Sequence, residues 1–198
     1  MIDKTTESYN QTAVRYAARP FYPLEQELAR FRHMMPAGGL TLDVGCGPGQ
    51  YAGALISRGL RVTALDLSWG MLHQAQQNSL ALLVQADMRR LPLADAAADG
   101  CFACASLLHL PRPRASLTLI EFRRVLCPGG ALYVSVKEGM GEEWVTDREG
   151  HSRHFVYYDP EGIDTVIQAA GFELVDGWIS PPGPGQAHNW INRFAVAR

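Results

Sequence analysis

Leu42-Asp43-Val44-Gly45-Cys46-Gly47-Pro48-Gly49-Gln50-Tyr51 sets three glycines within five residues directly after a short apolar run, Leu40-Thr41-Leu42-Asp43-Val44. The run reads as a buried strand, and Tyr51-Ala52-Gly53-Ala54-Leu55-Ile56 behind the glycines reads as a helix. A glycine turn between strand and helix lets a ligand press against the backbone, because no Cβ stands in the way. The helix start adds free N–H groups and a positive dipole end. In a doubly wound sheet this is where a nucleotide-like ligand sits. The spacing is not that of the dinucleotide fingerprint. Gly45 and Gly47 fit Gly-x-Gly-x-x-Gly, but Gln50 holds the third place and the extra glycine falls at Gly49. A dinucleotide needs its pyrophosphate on the helix N-terminus, so a nicotinamide dehydrogenase is only a distant reading.

Working outward from the turn, the same strand–helix alternation recurs. A strand over 60–66 ends in Asp66, an acid placed to accept two hydrogen bonds from a vicinal ribose diol; the alternative is a cap for the helix that follows. A third strand over 81–85 ends at Ala86-Asp87-Met88, and a fourth over 100–105 opens into Ser106-Leu107-Leu108-His109. Asp95 and Asp99 before it read as loop residues. A helix over 114–126 shows Leu119, Phe122 and Leu126 on one face and stops at Pro128-Gly129-Gly130 before a strand over 131–137. A helix over 160–170 closes on Gly171, and strands over 173–179 and 189–197 finish the chain around the proline-rich loop at 181–185. The N-terminal region, 3–35, reads as helix broken in two by Pro20 and Pro23.

Gly-x-Gly-x-Gly after Leu-Asp-Val, an acid at the second strand tip, Ser68-Trp69-Gly70-Met71-Leu72, Ala86-Asp87-Met88 and Arg-x-Leu-x-Pro-Gly-Gly together resemble the class I S-adenosylmethionine-dependent methyltransferases. The nearest group is the type-11 and ubiquinone/menaquinone-biosynthesis-like one. The resemblance covers 40–138 well and the ends in outline. It implies an α/β three-layer sandwich on a Rossmann-like seven-stranded sheet of order 3-2-1-4-5-7-6, strand seven antiparallel, in a single domain over 1–198. Residues 1–35 would be a helical cap, and 139–158 an insertion over the active site.

For the cofactor, S-adenosyl-L-methionine, the resemblance implies an amino-acid end along Asp43, Gly45, Cys46, Gly47 and Gly49, and a ribose at Asp66 and Leu67. It puts the adenine beside Met71, Asp87 and the Met88 backbone, and the methionine part beside Ser106. The N-terminal helix would cover the cofactor, making Tyr16 and Arg19 candidate contacts; amphipathic surface side chains are the even alternative. His109 is the candidate base, its charge easily tuned across neutrality; its other reading is packing and capping of the loop. In the aromatic insertion, Glu142, His154 and Tyr157 are candidate substrate contacts, against the reading of a solvated loop.

At 198 residues, 47% hydrophobic and 19% charged, the chain has the composition of a globular domain with a sizeable core. A net charge of −2 supplies no field for nucleic acid. No apolar run reaches the ~20 residues of a membrane span, and the polar N-terminus, Met1-Ile2-Asp3-Lys4, lacks a signal-peptide core, so the expected location is the cytoplasm. Cys101 and Cys104 form a Cys-x-x-Cys pair, but positions three apart on a strand face opposite ways, and His151-x-x-His154 has no third ligand; no metal is expected. The expected partner is a small-molecule methyl acceptor, with the protein a monomer or homodimer. RNA, a modified tRNA included, stays open through Arg89, Arg90, Arg112, Arg114, Arg123 and Arg124, as does a module that binds the cofactor without turnover.

Overall fold

The first, second and fourth strands lead into helices that return along the sheet, so the chain winds into a main sheet with helices on both faces. The computed structural model describes residues 4–183 and 185–198; Met1, Ile2 and Asp3 of the polar N-terminus and Pro184 of the proline-rich loop lie outside the described residues. The strands are β1 (Leu40–Val44), β2 (Arg61–Asp66), β3 (Leu82–Gln85), β4 (Ala98–Cys104), β5 (Leu126–Lys137), β6 (Glu142–Thr146), β7 (Ser152–Val156), β8 (Phe172–Ser180) and β9 (Trp190–Ala197). Seven of them form a sheet of order β3-β2-β1-β4-β5-β9-β8, while β6 and β7 pair apart as a ribbon. The first five strands of the sheet run parallel, and β9 runs antiparallel to both β5 and β8. Since β8 and β9 are the sixth and seventh strands of the sheet, the expected order 3-2-1-4-5-7-6 is the one found.

The helices are α1 (Lys4–Ala17), α2 (Glu25–Met34), α3 (Gln50–Ser57), α4 (Trp69–Asn78), α5 (Arg112–Val125) and α6 (Pro160–Ala169). Two cores follow from the strand alternation. On one face Leu119 and Phe122 of α5 and Ile163 and Ile167 of α6 meet Leu42, Cys101 and Leu132. On the other, Leu28 and Phe31 of α2 and Leu55 of α3 meet Phe102, Tyr133 and Phe194. Phe102 stacks on Tyr133 at 4.5 Å between ring centroids, with Phe31 edge-on at 5.3 Å. Burying each such ring contributes about 1.5–3 kcal/mol, and favourable ring pairing adds about 0.5–1.5 kcal/mol. Cys101 belongs to the first core and Cys104 packs against the second, so the Cys-x-x-Cys pair is split across the sheet.

Three readings change. Asp99 is no loop residue; it lies in β4, where its carboxylate accepts the Leu40 N–H at 2.8 Å and ties β1 to β4. Pro128-Gly129-Gly130 does not sit between elements: α5 runs straight into β5, Leu126 already pairs with Ala98, and the turn residues bulge out before Ala131 resumes the ladder opposite Gly100. The segment 139–158 is not aperiodic; it folds as the β6–β7 ribbon with Trp144 opposite His154. All of β6 is exposed, so no apolar alternation marks it in the sequence.

Candidate functional site

Parallel pairing brings the carboxyl ends of β1 to β5 to one edge of the sheet, where ligands bind in open α/β folds. There the Val44–Gly47 turn, Asp66, Leu67, Ala86–Arg89, Cys104–Ser106 and Ser135 surround a cavity of 320 Å³, roofed by Tyr9, Tyr16 and Arg19 from the N-terminal region. Among the described residues, no helix is long and apolar enough to cross a membrane.

The three glycines of the turn do different work. Gly45 has φ +72°, and a Cβ there would stand 2.3 Å from the Ser106 Cβ. Gly49, with φ +80°, opens α3 and sits against Ala75 of α4 outside the cavity lining. Gly47 lines the cavity with nothing within 4 Å of where a Cβ would lie. Its N–H donates to Asp66 Oδ2 at 2.9 Å while the Ser68 N–H donates to Oδ1 at 2.8 Å. A carboxylate offers about four lone-pair directions, so Asp66 keeps acceptor capacity toward the cavity. Burial raises its pKa against the pull of those N–H groups. Ser68, whose hydroxyl accepts the Met71 N–H at 3.2 Å, is the cap of α4, which removes that role from Asp66.

Asp43 lies one layer behind, 1% exposed and outside the cavity lining. It accepts the Ala52 N–H in the first turn of α3, and burial, with Asp66 next, pushes its pKa up to about 8. Cys46, Leu67, Met71 and Met88 all line the cavity. Asp87 also lines it, but its carboxylate is held by Arg89: Nε reaches Oδ1 at 2.8 Å and Oδ2 at 2.9 Å. Burial pushes the Asp87 carboxyl up, and the Arg89 side chain and backbone N–H outweigh it, leaving the pKa below the usual range. Ser106 is 4% exposed, lines the cavity and has no hydrogen-bond partner for Oγ among the described residues. Ala105 beside it holds φ +51°, pinned by its N–H on the Ser135 hydroxyl at 2.9 Å. Strain of this kind gathers at functional sites.

The roof is α1, fastened at both sides. Asn10 Oδ1 accepts from the Ser68 hydroxyl (2.8 Å) and the Gly70 N–H (3.0 Å), holding it to α4. Thr5 accepts the His154 N–H (3.0 Å) and Ser8 donates to the Ser152 carbonyl (2.5 Å), holding it to the ribbon. Tyr9 and Tyr16, two helical turns apart and so on one face, meet edge to face at 5.6 Å, and Arg19 lies 4.9 Å over Tyr16.

His109 bonds Tyr9 Oη through Nε2 (2.8 Å) and the His154 carbonyl through Nδ1 (2.7 Å). A carbonyl only accepts, so in the neutral ring the proton sits on Nδ1 and Nε2 accepts from the Tyr9 hydroxyl. Burial, and after it Tyr16, raises the Tyr9 pKa, keeping the hydroxyl a donor.

The expected substrate contacts do not reach the cavity. Strand alternation turns His154 toward Trp144 (5.2 Å) and Glu142 (3.8 Å), on the far side of β7 from Tyr9, while the Tyr157 hydroxyl donates to Glu143 at 2.7 Å. Arg153 and Phe155, the in-between positions, face Tyr9 and His109 instead. Tyr9, Ser135, Trp190 and Asn192 line the cavity without having been singled out from the sequence. The seven-residue spacing of Tyr9 from Tyr16 and the two-residue spacing of Trp190 and Asn192 on β9 were the signals that could have found them.

A family profile described as "Methyltransferase domain" matches residues 42–134. A malonyl-[acyl-carrier protein] O-methyltransferase from Serratia marcescens is 37% identical over 145 residues, covering 70% of this chain and 55% of that protein. A ubiquinone biosynthesis O-methyltransferase from Xanthomonas axonopodis pv. citri (strain 306) is 38% identical over 181 residues, covering 82% of this chain and 72% of that protein. Against several malonyl-[acyl-carrier protein] relatives the chain spans little more than half their length, 54–58%. Among solved structures, Burkholderia thailandensis 1,6-didemethyltoxoflavin-N1-methyltransferase with bound 1,6-didemethyltoxoflavin and S-adenosylhomocysteine superposes with a TM-score of 0.79. That match covers 98% of this chain and 87% of the other at 19% identity, a likeness of fold.

Proposed function

The chain belongs to the S-adenosylmethionine-dependent methyltransferases that share this methyltransferase domain, and on that premise we propose that it moves a methyl group from S-adenosylmethionine to an oxygen of a small-molecule acceptor. The observation that carries the reading is the line of groups from Asp66 across Gly47 to Ser106. It joins an acid with spare lone pairs, a glycine with open space where a Cβ would be, and a buried hydroxyl without a partner. A ribose diol, an amino-acid backbone end and its polar terminus would satisfy these in order. No Lys or Arg lies within 44–51 to hold a phosphate, which suits a cofactor without one.

In this reading Leu67, Met71, Met88 and the Asp87–Arg89 pair enclose the adenine. Tyr9 and Tyr16 offer aromatic faces to the sulfonium, a cation–π environment. Gly45, Cys46 and Gly49 shape the loop, and Asp43 holds the start of α3 beneath it. When bound, S-adenosylmethionine would supply an activated methyl group whose carbon an acceptor oxygen could attack in line, with the thioether sulfur as leaving group taking the bonding pair. The chain's own task is to hold the acceptor in that line and keep water out, with α1 and the β6–β7 ribbon as the cover of one catalytic domain. For an acceptor that arrives as a hydroxyl, its proton passes to Tyr9 Oη as the Tyr9 proton moves to His109 Nε2. His109 therefore acts through Tyr9. Four free thiols suit a reducing compartment such as the cytoplasm.

The test is calorimetric titration with S-adenosylmethionine, S-adenosylhomocysteine and NADH, followed by transfer of labelled methyl to an acceptor panel. Micromolar binding of the first two and none of NADH is the expected result. Silence from both S-adenosyl compounds would return the glycine turn to a purely structural role.

A further inference from the structure

Behind the Tyr9 and Trp190 lining of the cavity, and not in that lining themselves, lie two cations that form no ion pair among the described residues, Lys137 and Arg153. β5 places Ser135, a cavity residue, and Lys137 on the same strand face, two positions apart. Lys137 pairs in register with Trp190 of β9, also a cavity residue, and its ammonium lies 6.0 Å from the Trp190 ring and 4.2 Å from Phe155. From the opposite side the ribbon brings Arg153, its guanidinium 5.6 Å from the same Phe155 ring and 5.6 Å from Tyr9. Phe155 in turn packs on His109 at 4.9 Å.

Neither Lys137 nor Arg153 forms an ion pair with a carboxylate among the described residues, whereas seven other arginines do. Glu143, the acid whose field reaches Lys137, is engaged by the Tyr157 hydroxyl. Burial and then the Arg153 charge lower the Lys137 pKa, so the two cations sit together at a cost. Like charges converging on one aromatic ring, half-buried just behind the wall of a cavity, are relieved by an anion placed between them.

Resting on the methyl-transfer reading of the cavity, we propose that Lys137 and Arg153 form an anion subsite, and that the acceptor is a molecule bearing a carboxylate or a phosphate-type group. Seated there, such an acceptor lies against Phe155 and Trp190 with its reactive oxygen toward Tyr9. An acceptor whose ionised carboxylate is itself the nucleophile needs no proton removed.

The experiment titrates malonate, 4-hydroxybenzoate and methylphosphonate, each against its uncharged counterpart (malonamide, 4-hydroxybenzamide, dimethyl methylphosphonate). It is run with and without saturating S-adenosylhomocysteine. The anions are expected to bind at least tenfold more tightly than the neutral partners. Arg153→Gln and Lys137→Gln each remove that preference, Arg153→Lys retains most of it, and S-adenosylhomocysteine affinity stays within twofold throughout. Preference for the carboxylates or for the phosphonate identifies which anion the acceptor carries. Equal binding of acid and amide, or preference surviving in both glutamine variants, overturns the subsite. Failure of S-adenosylhomocysteine to bind overturns the methyl-transfer reading instead, and the arm without it still decides on the anion.

Discussion

Gly47→Ala separates the ligand-facing part of the glycine turn from its structural part. Gly47 holds φ +53°, and no atom lies within 4 Å of the position a Cβ would take. The left-handed backbone costs an alanine about 1–2 kcal/mol, while loss of glycine freedom in the unfolded chain returns about 0.4–1 kcal/mol. The net loss of stability is therefore about 1 kcal/mol. Gly45→Ala shares that conformational cost and adds a Cβ 2.3 Å from the Ser106 Cβ. Forcing a methyl into packed surroundings costs a further ~1–3 kcal/mol, for a net loss of about 2–4 kcal/mol. With a urea slope of about 2 kcal/mol/M, the midpoint should fall by about 0.5 M for Gly47→Ala and by about 1–2 M for Gly45→Ala. Cofactor binding should show the reverse emphasis. The new methyl of Gly47→Ala occupies cavity space, so S-adenosylhomocysteine affinity should drop tenfold or more, about 1.4 kcal/mol or above, in a protein that is nearly as stable as the parent. Equal midpoints for the two variants, or unchanged affinity in Gly47→Ala, would refute the reasoning.

Three further outcomes follow from the same geometry. Burial keeps Asp43 protonated up to about pH 8, whereas in the unfolded chain it ionises near ~4. Between these values the native state holds the extra proton, so stability falls as pH rises through that window. Asp66, also raised by burial, adds to the same slope. Asp43→Asn should flatten the decline and be the more stable form at pH 8, by a gap on the order of a few kcal/mol; parallel urea midpoints at pH 5 and pH 8 would reject this. Asn10→Ala removes the acceptor of two hydrogen bonds that hold α1 to α4, at a cost of about 1–2 kcal/mol. Hydrogen exchange should speed up in α1 before the sheet; uniform acceleration would argue against a separately fastened roof. Tyr9→Phe keeps the ring contacts and deletes the donor to His109. With a hydroxyl acceptor, turnover should fall at least about tenfold while cofactor affinity stays within twofold, and unchanged turnover would remove the pair from the proton path.

What the sequence determined is what local signals encode. Strand and helix periods, glycine turns and acids at strand ends were enough for an alternating α/β sheet, because a parallel βαβ path puts every β-to-α turn on one edge; the order of the strands came from the resemblance to the methyltransferases. That is why the turn at Gly45 and Gly47, Asp66, Asp87 and Ser106 line one cavity as the spacing implies. Contacts between distant segments were decided by tertiary packing alone. Tyr9 meets His109 across 100 positions, and Ser8 meets the Ser152 carbonyl across 144; no pattern within a window of sequence records such a pairing. The same holds for the ribbon. With β6 exposed at every position, no apolar period announces it, and its register on α1 chooses which side of β7 faces the cavity. That choice turns His154 away and brings Arg153 and Phe155 in, because one residue along a strand is a change of face.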